Sequence, residues 1–417
     1  MKRNNKRRLH IVLLTAGCIL LASICLVRFW RYVFIYDCWA WDLDLRINEL
    51  ACSHDGVDPF DIFEKKIKSD KYTGFLRPDK PDERSATRKY VHAYPAWHTA
   101  LFWWYGLVPR SMCIAVMLCL YGLALAYSCK WTAETMEKKD GDDGIEDILF
   151  LVAMMILPFT GIGWTLNYGL LLLGCMLLLF RLLEKKKEIL AGILFSVIMI
   201  KPQVGTLLLI PLFLNRYYKT IAVAGAICIL ETLFTAWQLD KSPVELILQI
   251  PQIGAPFYKG AFTETAIKVF GKMGPFLIMA VFAGLTAVGC FLLRNVKEIW
   301  VRFLPALAFI PFWTYSQSHD WFIILPCYVY LLNDRWKYPR LYELCFCLAI
   351  LWTGVTFCFL KEWYSIGKQG TASVLHLGLV SIICCMAILD NEDARLALRE
   401  CRKVLIGKTR KKDLRQN

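Results

Sequence analysis

The sequence predicts an all-α, polytopic membrane protein that crosses the bilayer with about 12 helices. Of its 417 residues, 57% are hydrophobic, and its mean hydropathy is +0.43, whereas a soluble chain of this length needs a more polar surface. Many apolar runs approach or exceed the roughly 18 to 20 residues that span a bilayer. Because the hydrocarbon core offers no partner to exposed backbone groups, these spans must be helices.

The net charge of +14 follows the pattern of a membrane protein. Lys and Arg cluster in short segments between the apolar runs, as the positive-inside rule describes for cytoplasmic loops. We therefore exclude a nucleic-acid partner and expect a multi-pass cell-membrane protein with both termini in the cytoplasm. No Cys or His spacing is typical of a metal site, and no Rossmann-type pattern occurs, so we predict no metal and no cofactor.

The first helix is predicted over about residues 11–34. It follows a basic N-terminal segment, but the apolar stretch is longer than the core of a signal peptide and no small-residue cleavage site follows. We therefore expect an uncleaved helix. Residues 35–109 form a long first outer loop with short interfacial helices near 42–51 and 97–105, within one integral membrane domain over 1–417.

The remaining helices follow from apolar runs and their breaks. Lys201-Pro202 divides a run that is too long for one span and short for two, since Pro cannot continue the helical ladder. We predict two short helices that meet on the outer side at 201–203. The other helices are expected over 110–129, 148–164 and 167–183 and from about 221, 275, 303, 322, 341 and 372, before a basic cytoplasmic tail at 390–417.

Three acids, Asp37, Asp42 and Asp44, follow the first helix. Acids that follow a membrane helix often only mark its water-exposed end. Here Trp and Leu residues surround the acids, and a partly desolvated carboxylate is a candidate general base. Asp42 and Asp44 are two positions apart, so on a helix they point to different faces and only one of them faces a site.

Polar residues in three other segments are candidates for the same outer site. Tyr94 and His92 stand beside Pro95, where aromatic residues suit either the membrane interface or a cavity. Lys201, followed by Gln203, is either a snorkelling lysine or a phosphate ligand held at a helix break, where backbone N–H groups also favour an anion.

His319 and Asp320 lie between two apolar spans. They are either structural loop residues or contacts to a phosphate or a sugar hydroxyl. Glu231 stands inside a span, where an ionised carboxylate costs on the order of 2.5–3.5 kcal/mol, so its side chain should face the bundle interior or be protonated.

The chain resembles the polyprenyl-phosphate-dependent glycosyltransferases of family 87, in the multispanning C superfamily. The ordered motifs that carry this resemblance are Asp42-Leu43, GVDPF from Gly56, AYPAW around Tyr94, GIGWTLN from Gly161, IKPQ from Ile200 and SQSHDW from Ser316. Trp164 stands where Gln is common in the family. The DLDL stretch offers both Asp42 and Asp44, and the spacing to Gly56 favours Asp42.

The resemblance implies a hexosyltransferase, with mannose as the expected sugar. The donor would be a polyprenyl-phosphate sugar, and the acceptor a lipid-linked or cell-envelope glycan at the outer membrane face. An inverting displacement would use Asp42 or Asp44 as general base and Lys201 and His319 to bind the donor phosphate. The substrate-binding residues that we expect are Tyr94, His92, Asn167, Gln203 and Asp320.

Two other functions share some of these features. A lipid-linked polysaccharide polymerase would use the same outer loop. A lipid or solute transporter would place charged residues along a path at the bilayer midplane, and only Glu231 clearly fits that pattern. No internal repeat is visible, which is a further argument against a transporter.

Overall fold

The computed structural model describes residues 2–30, 40–64, 94–136, 144–160, 166–251, 262–314, 318–333, 339–358 and parts of 378–399. Helices, joined by turns and short loops, account for these residues, and none of them lies in a strand. The predicted all-α class is therefore confirmed for the described part of the chain. Asp37, His92 and the start of the helix predicted from residue 372 lie outside it.

The helices are numbered here in chain order. The N-terminal half contains α1 (Lys2–Trp30), α2 (Trp41–His54), α3 (Pro59–Glu64), α4 (Ala96–Leu101), α5 (Arg110–Thr135), α6 (Ile145–Ile156), α7 (Gly169–Glu184), α8 (Glu188–Ile198), α9 (Pro202–Leu214) and α10 (Tyr218–Gln238). The C-terminal half contains α11 (Pro243–Leu248), α12 (Phe262–Phe270), α13 (Gly274–Leu292), α14 (Ile299–Trp313), α15 (Leu325–Asn333) and α16 (Pro339–Cys358). Short 3₁₀ helices cover Trp103–Gly106, Leu157–Thr160, Gly271–Met273 and Ser318–Ile324.

Membrane-spanning character is clearest in four segments of the described residues. They are long and apolar enough to cross a bilayer: Arg8–Val27, Arg110–Thr135, Tyr218–Gln238 and Ala266–Leu292. Five shorter apolar helices accompany them, among them α8, α9 and α14. These findings support a polytopic membrane protein, and the count of about 12 spans stays a prediction.

The predicted break at Lys201 is present. Helix α8 ends at Ile198 and α9 begins at Pro202, which occupies the first helical position, where its missing N–H costs nothing. Lys201 itself has an extended backbone and its carbonyl accepts the amide of Val204 at 2.8 Å. The two helices have 11 and 13 residues, so neither crosses a bilayer alone.

The segment predicted as the first outer loop contains helices at the two stretches where the sequence predicts them. The stretch at 42–51 is helix α2, and the stretch at 97–105 is α4 followed by the 3₁₀ helix Trp103–Gly106. A hydrogen bond of 2.9 Å from the Thr235 hydroxyl to the carbonyl of Ala96 holds α4 against α10. Helix α7 packs on the 3₁₀ helix Ser318–Ile324. These two contacts bring the middle of the chain to both the segment around α4 and the segment around Asp320.

Candidate active site

Helix α2 directs its first two aspartates to different partners. Asp44 forms a bidentate ion pair with Arg110 at the start of α5, with Nε–Oδ1 and Nη2–Oδ2 distances of 2.5 and 2.9 Å. This geometry is specific and strong. Asp44 therefore anchors α2 to α5.

The Asp42 carboxylate contacts the side-chain amide of Asn167, which connects it to the rest of the site. The Asn167 side chain donates through Nδ2 to Asp42 Oδ2, and its Oδ1 accepts hydrogen bonds from Lys201 Nζ and from the amide of Gly169, the latter at 3.2 Å. The Tyr121 hydroxyl donates to the Asn167 carbonyl. The two ends of the Asn167 side-chain amide thus join an acid to a cation, and Tyr121 holds the Asn167 backbone carbonyl.

Lys201 forms a buried ion pair with Asp320. The Nζ–Oδ1 distance is 2.5 Å, and each side chain is 3% exposed. A snorkelling lysine would extend its ammonium to water, so this burial contradicts that alternative. The ammonium contacts Asn167 and Asp320 with two of its three N–H groups.

These contacts define a polar row, Asp42–Asn167–Lys201–Asp320, built from four separate segments of the chain. Its members are, in order, a carboxylate, a neutral amide, an ammonium and a second carboxylate. Asn167, Lys201 and Asp320 are buried, whereas Asp42 is only partly buried. The row therefore presents one carboxylate at its accessible end.

Aromatic residues cover one side of the polar row. The Tyr94 hydroxyl accepts from Asn167 Nδ2 at 3.3 Å, and the Tyr94 ring stacks on His98 with centroids 4.5 Å apart. His98 Nε2 lies 3.0 Å from the Tyr168 hydroxyl. The guanidinium of Arg46 stands 4.6 Å from the centre of the Tyr94 ring. Tyr94, predicted to face the site, is therefore in direct contact with it.

Arg46 and Glu49 are polar residues of α2 that sequence reasoning missed. They form an ion pair of 2.8 Å with side chains 3% and 4% exposed. Burial by itself lowers the pKa of Arg46, but Glu49 and then Asp42 outweigh burial and raise it, so the guanidinium stays charged. The spacing of three residues in the helix was the only local signal for this pair.

A second polar cluster ties the loop after α2 to the end of α10. Lys241 Nζ contacts Asp58 at 2.5 Å, Asp61 at 2.9 Å and Glu245 at 3.3 Å, and Gln249 donates to Asp58 at 3.1 Å. Burial opposes the charge of Lys241, but its hydrogen bonds to Asp58 and Asp61 outweigh burial and raise its pKa. The sequence analysis identified the GVDPF motif, which contains Asp58, but it did not predict Lys241 as the partner of Asp58.

The remaining predicted site residues are placed as follows. The Gln203 carbonyl accepts from Trp313 Nε1 at 2.5 Å, and none of the hydrogen bonds of the described residues joins the Gln203 side chain to the polar row. His319 lies in the 3₁₀ helix Ser318–Ile324 beside Asp320, but its side chain lies outside the described part of the structure, as does all of His92.

Comparison with known proteins gives one match. Residues 92–246 match the model of glycosyltransferase family 87. Tyr94, Asn167 and Lys201 lie within that segment, whereas Asp42 and Asp320 lie on either side of it. No curated protein and no solved structure matches the chain. The matched segment includes three of the residues that meet around the polar row, and the match supports a glycosyltransferase of family 87.

Proposed function

We propose that the enzyme transfers a hexose, expected to be mannose, from a polyprenyl-phosphate donor to a lipid-linked or cell-envelope glycan acceptor. The reaction would be an inverting displacement at the outer membrane face, with Asp42 as general base. The observation that carries this proposal is the polar row, which ends in one partly accessible carboxylate and holds a buried lysine two contacts away.

Asp42 suits the role of base by its position and its fixed orientation. A general base must reach the proton that it removes, directly or through one water. Asp42 is the only partly buried member of the row, and the Asn167 amide holds one of its oxygens. The other oxygen can accept the proton of the acceptor hydroxyl as that oxygen attacks the anomeric carbon of the donor.

Lys201 suits the leaving phosphate. As the bond between the anomeric carbon and the phosphate oxygen breaks, negative charge grows on the phosphate, and a fixed cation lowers the energy of that transition state. The third N–H of the ammonium can donate to a phosphate oxygen while Asn167 and Asp320 hold the other two. Asp320 would then position Lys201 rather than contact the sugar.

The donor lipid and the side of the membrane follow from the family resemblance and the predicted topology. A donor with a polyprenyl chain enters laterally from the bilayer, so membrane lipids are the expected surroundings of the reaction. We propose further substrate contacts for Tyr94, His92, Gln203 and His319. Of these, Tyr94 has the strongest support, because its hydroxyl contacts Asn167.

The direct test is Asp42→Asn in the purified protein. Asn keeps the shape and the hydrogen-bonding capacity of the residue but cannot take up a proton, so we expect transfer to fall by a factor of about 100 to 10,000. The assay follows radiolabelled sugar from a polyprenyl-phosphate donor in detergent, with donor binding measured separately and expected to be retained.

Asp44→Asn is the matched control. It weakens the ion pair with Arg110 and should lower stability more than it lowers the rate of transfer by folded protein. A dead Asp44→Asn with an active Asp42→Asn would move the base to Asp44. Near-normal transfer in both variants and in the double variant would refute the carboxylate mechanism.

A further inference from the structure

Arg46 lies beside the polar row, and the proposed reaction gives it no role. Its guanidinium stands 4.6 Å from the centre of the Tyr94 ring, and its Nε donates to the backbone carbonyl of Asp42 at 3.4 Å. The side chain is buried and pairs with Glu49 at 2.8 Å. Because apolar side chains of similar size often replace such a pair without loss of stability, stability alone does not account for it.

Asp42, Arg46 and Glu49 share one face of α2. They are four and three positions apart, and residues at these spacings are neighbours on the surface of a helix. Asp44 points elsewhere, to Arg110 at the start of α5. The face of α2 that carries the proposed base therefore also carries a fixed cation one turn away.

The contacts around this face form a closed circuit. Asp42 Oδ2 accepts from Asn167 Nδ2, and the Tyr94 hydroxyl accepts from the same nitrogen at 3.3 Å. Arg46 in turn contacts both the Tyr94 ring and the backbone of Asp42. A path that starts at the Asp42 carboxylate thus passes through Asn167, Tyr94 and Arg46 and returns to Asp42.

The side-chain amide of Asn167 has every hydrogen-bonding position occupied. Such an amide has two N–H donors and an oxygen with two lone pairs. Nδ2 donates to Asp42 and to Tyr94. Oδ1 accepts from Lys201 and from the backbone amide of Gly169. Tyr94 therefore fixes the second N–H of the group that holds Asp42, and the position of its ring determines where that N–H points.

We propose that Arg46 is a positioning residue for sugar transfer, which holds the Tyr94 ring in place as a fixed cation over its face. Tyr94 then fixes the Asn167 amide, and the amide orients the carboxylate of Asp42. Small displacements of a reacting group lower the rate strongly. The inference rests on the proposed function, because it requires Asp42 to be the base.

The test removes the ion pair as a whole, by Arg46→Met together with Glu49→Leu. Apolar residues of similar size can replace a buried pair at little cost, and unfolding in mixed micelles checks that the variant is folded. We expect kcat for transfer from a polyprenyl-phosphate donor to fall about tenfold, equivalent to about 1.4 kcal/mol. The donor KM should stay unchanged, because Lys201 is left in place. A wild-type kcat, or a loss confined to the donor KM, would overturn the proposal.

A second measurement separates positioning from a general loss of structure. Asp42→Asn already removes the carboxylate that the circuit orients. When the pair is removed in the Asp42→Asn background, the residual rate should therefore change by less than about twofold, whereas independent effects would add as free energies. A further tenfold fall in that background would mean that the pair acts on the structure in general, and the proposal would be wrong.

Two single substitutions test the separate links of the circuit. Tyr94→Phe keeps the ring but removes the oxygen that Asn167 contacts, and its effect on kcat should not add to that of removing the pair. Arg46→Lys keeps a cation that can lie over the ring and should retain kcat within about threefold of the wild type. Full additivity in the first case, or a tenfold loss with Arg46→Lys, would refute the link through the Tyr94 ring.

Failure of this inference can be told from failure of the proposed function. Near-normal transfer by Asp42→Asn would remove the base and, with it, the proposed mechanism. An inactive Asp42→Asn combined with wild-type kcat after removal of the Arg46–Glu49 pair would keep the base and refute only the positioning role of Arg46.

Discussion

The ion pair between Lys201 and Asp320 provides the sharpest test of the polar row, through the substitution Lys201→Met. The side chains are 2.5 Å apart and each is 3% exposed, so removal of the cation leaves a carboxylate buried without its partner. Loss of one member of a buried pair costs about 3–5 kcal/mol. Asn167 also loses a donor to its Oδ1, which places the expected loss in the upper part of that range.

The double variant Lys201→Met with Asp320→Leu separates stability from chemistry. Apolar residues of similar size replace a buried ion pair at little cost, so most of the free energy of unfolding should return. Transfer should not return, because the leaving phosphate still lacks its cation. The loss of one such donor typically lowers the rate by about 100-fold or more.

Both quantities are measured on the same preparations. Titration with a denaturing detergent in mixed micelles gives the free energy of unfolding, and radiolabelled sugar transfer gives the rate. If Lys201→Met is as stable as the wild type, the buried pair does not form and the reasoning is wrong. If the double variant regains both stability and transfer, Lys201 is a structural residue with no role at the phosphate.

Two further predictions concern the scaffold around the site. Lys241→Met should leave Asp58 buried without its cation and lower stability by about 1–3 kcal/mol, whereas Lys241→Arg should retain the ion pair and most of the stability. Because the pKa of Lys241 is raised, the lysine's contribution is present at neutral pH and declines only in strong alkali. Limited proteolysis within residues 53–64 would report the loosened loop, and equal cleavage in wild type and Lys241→Met would contradict the expectation. Gly192→Ala should destabilise the packing of α8 on α10 by about 1–3 kcal/mol, because a Cβ at Gly192 would meet the Val223 side chain at 2.6 Å. Gly225→Ala, with nothing within 4 Å, is the control, and equal thermal stability of the two variants would show that the helices are not in close contact there.

The sequence by itself determined the helices and their local breaks. Apolar runs gave the all-α class, and Pro202 gave the start of α9 because a proline is favoured in the first turn and excluded from a helix interior. The helical period also predicted that Asp42 and Asp44 point to different faces, and in the structure Asp44 contacts Arg110 whereas Asp42 contacts Asn167. Such features depend on residues within a few positions of one another, which a sequence displays directly.

Only the tertiary structure decided which distant groups meet. Lys201 and Asp320 are 119 positions apart, and Lys241 and Asp58 are 183 apart. A hydropathy pattern shows which face of a helix is buried, but it carries no information about which polar side chain the neighbouring helix presents there. The sequence left the role of Lys201 open, and the structure places this lysine in the polar row, in a buried ion pair with Asp320. Only the tertiary structure likewise shows that Asp44 anchors α2 to α5, because the packing of these helices places Arg110 beside it.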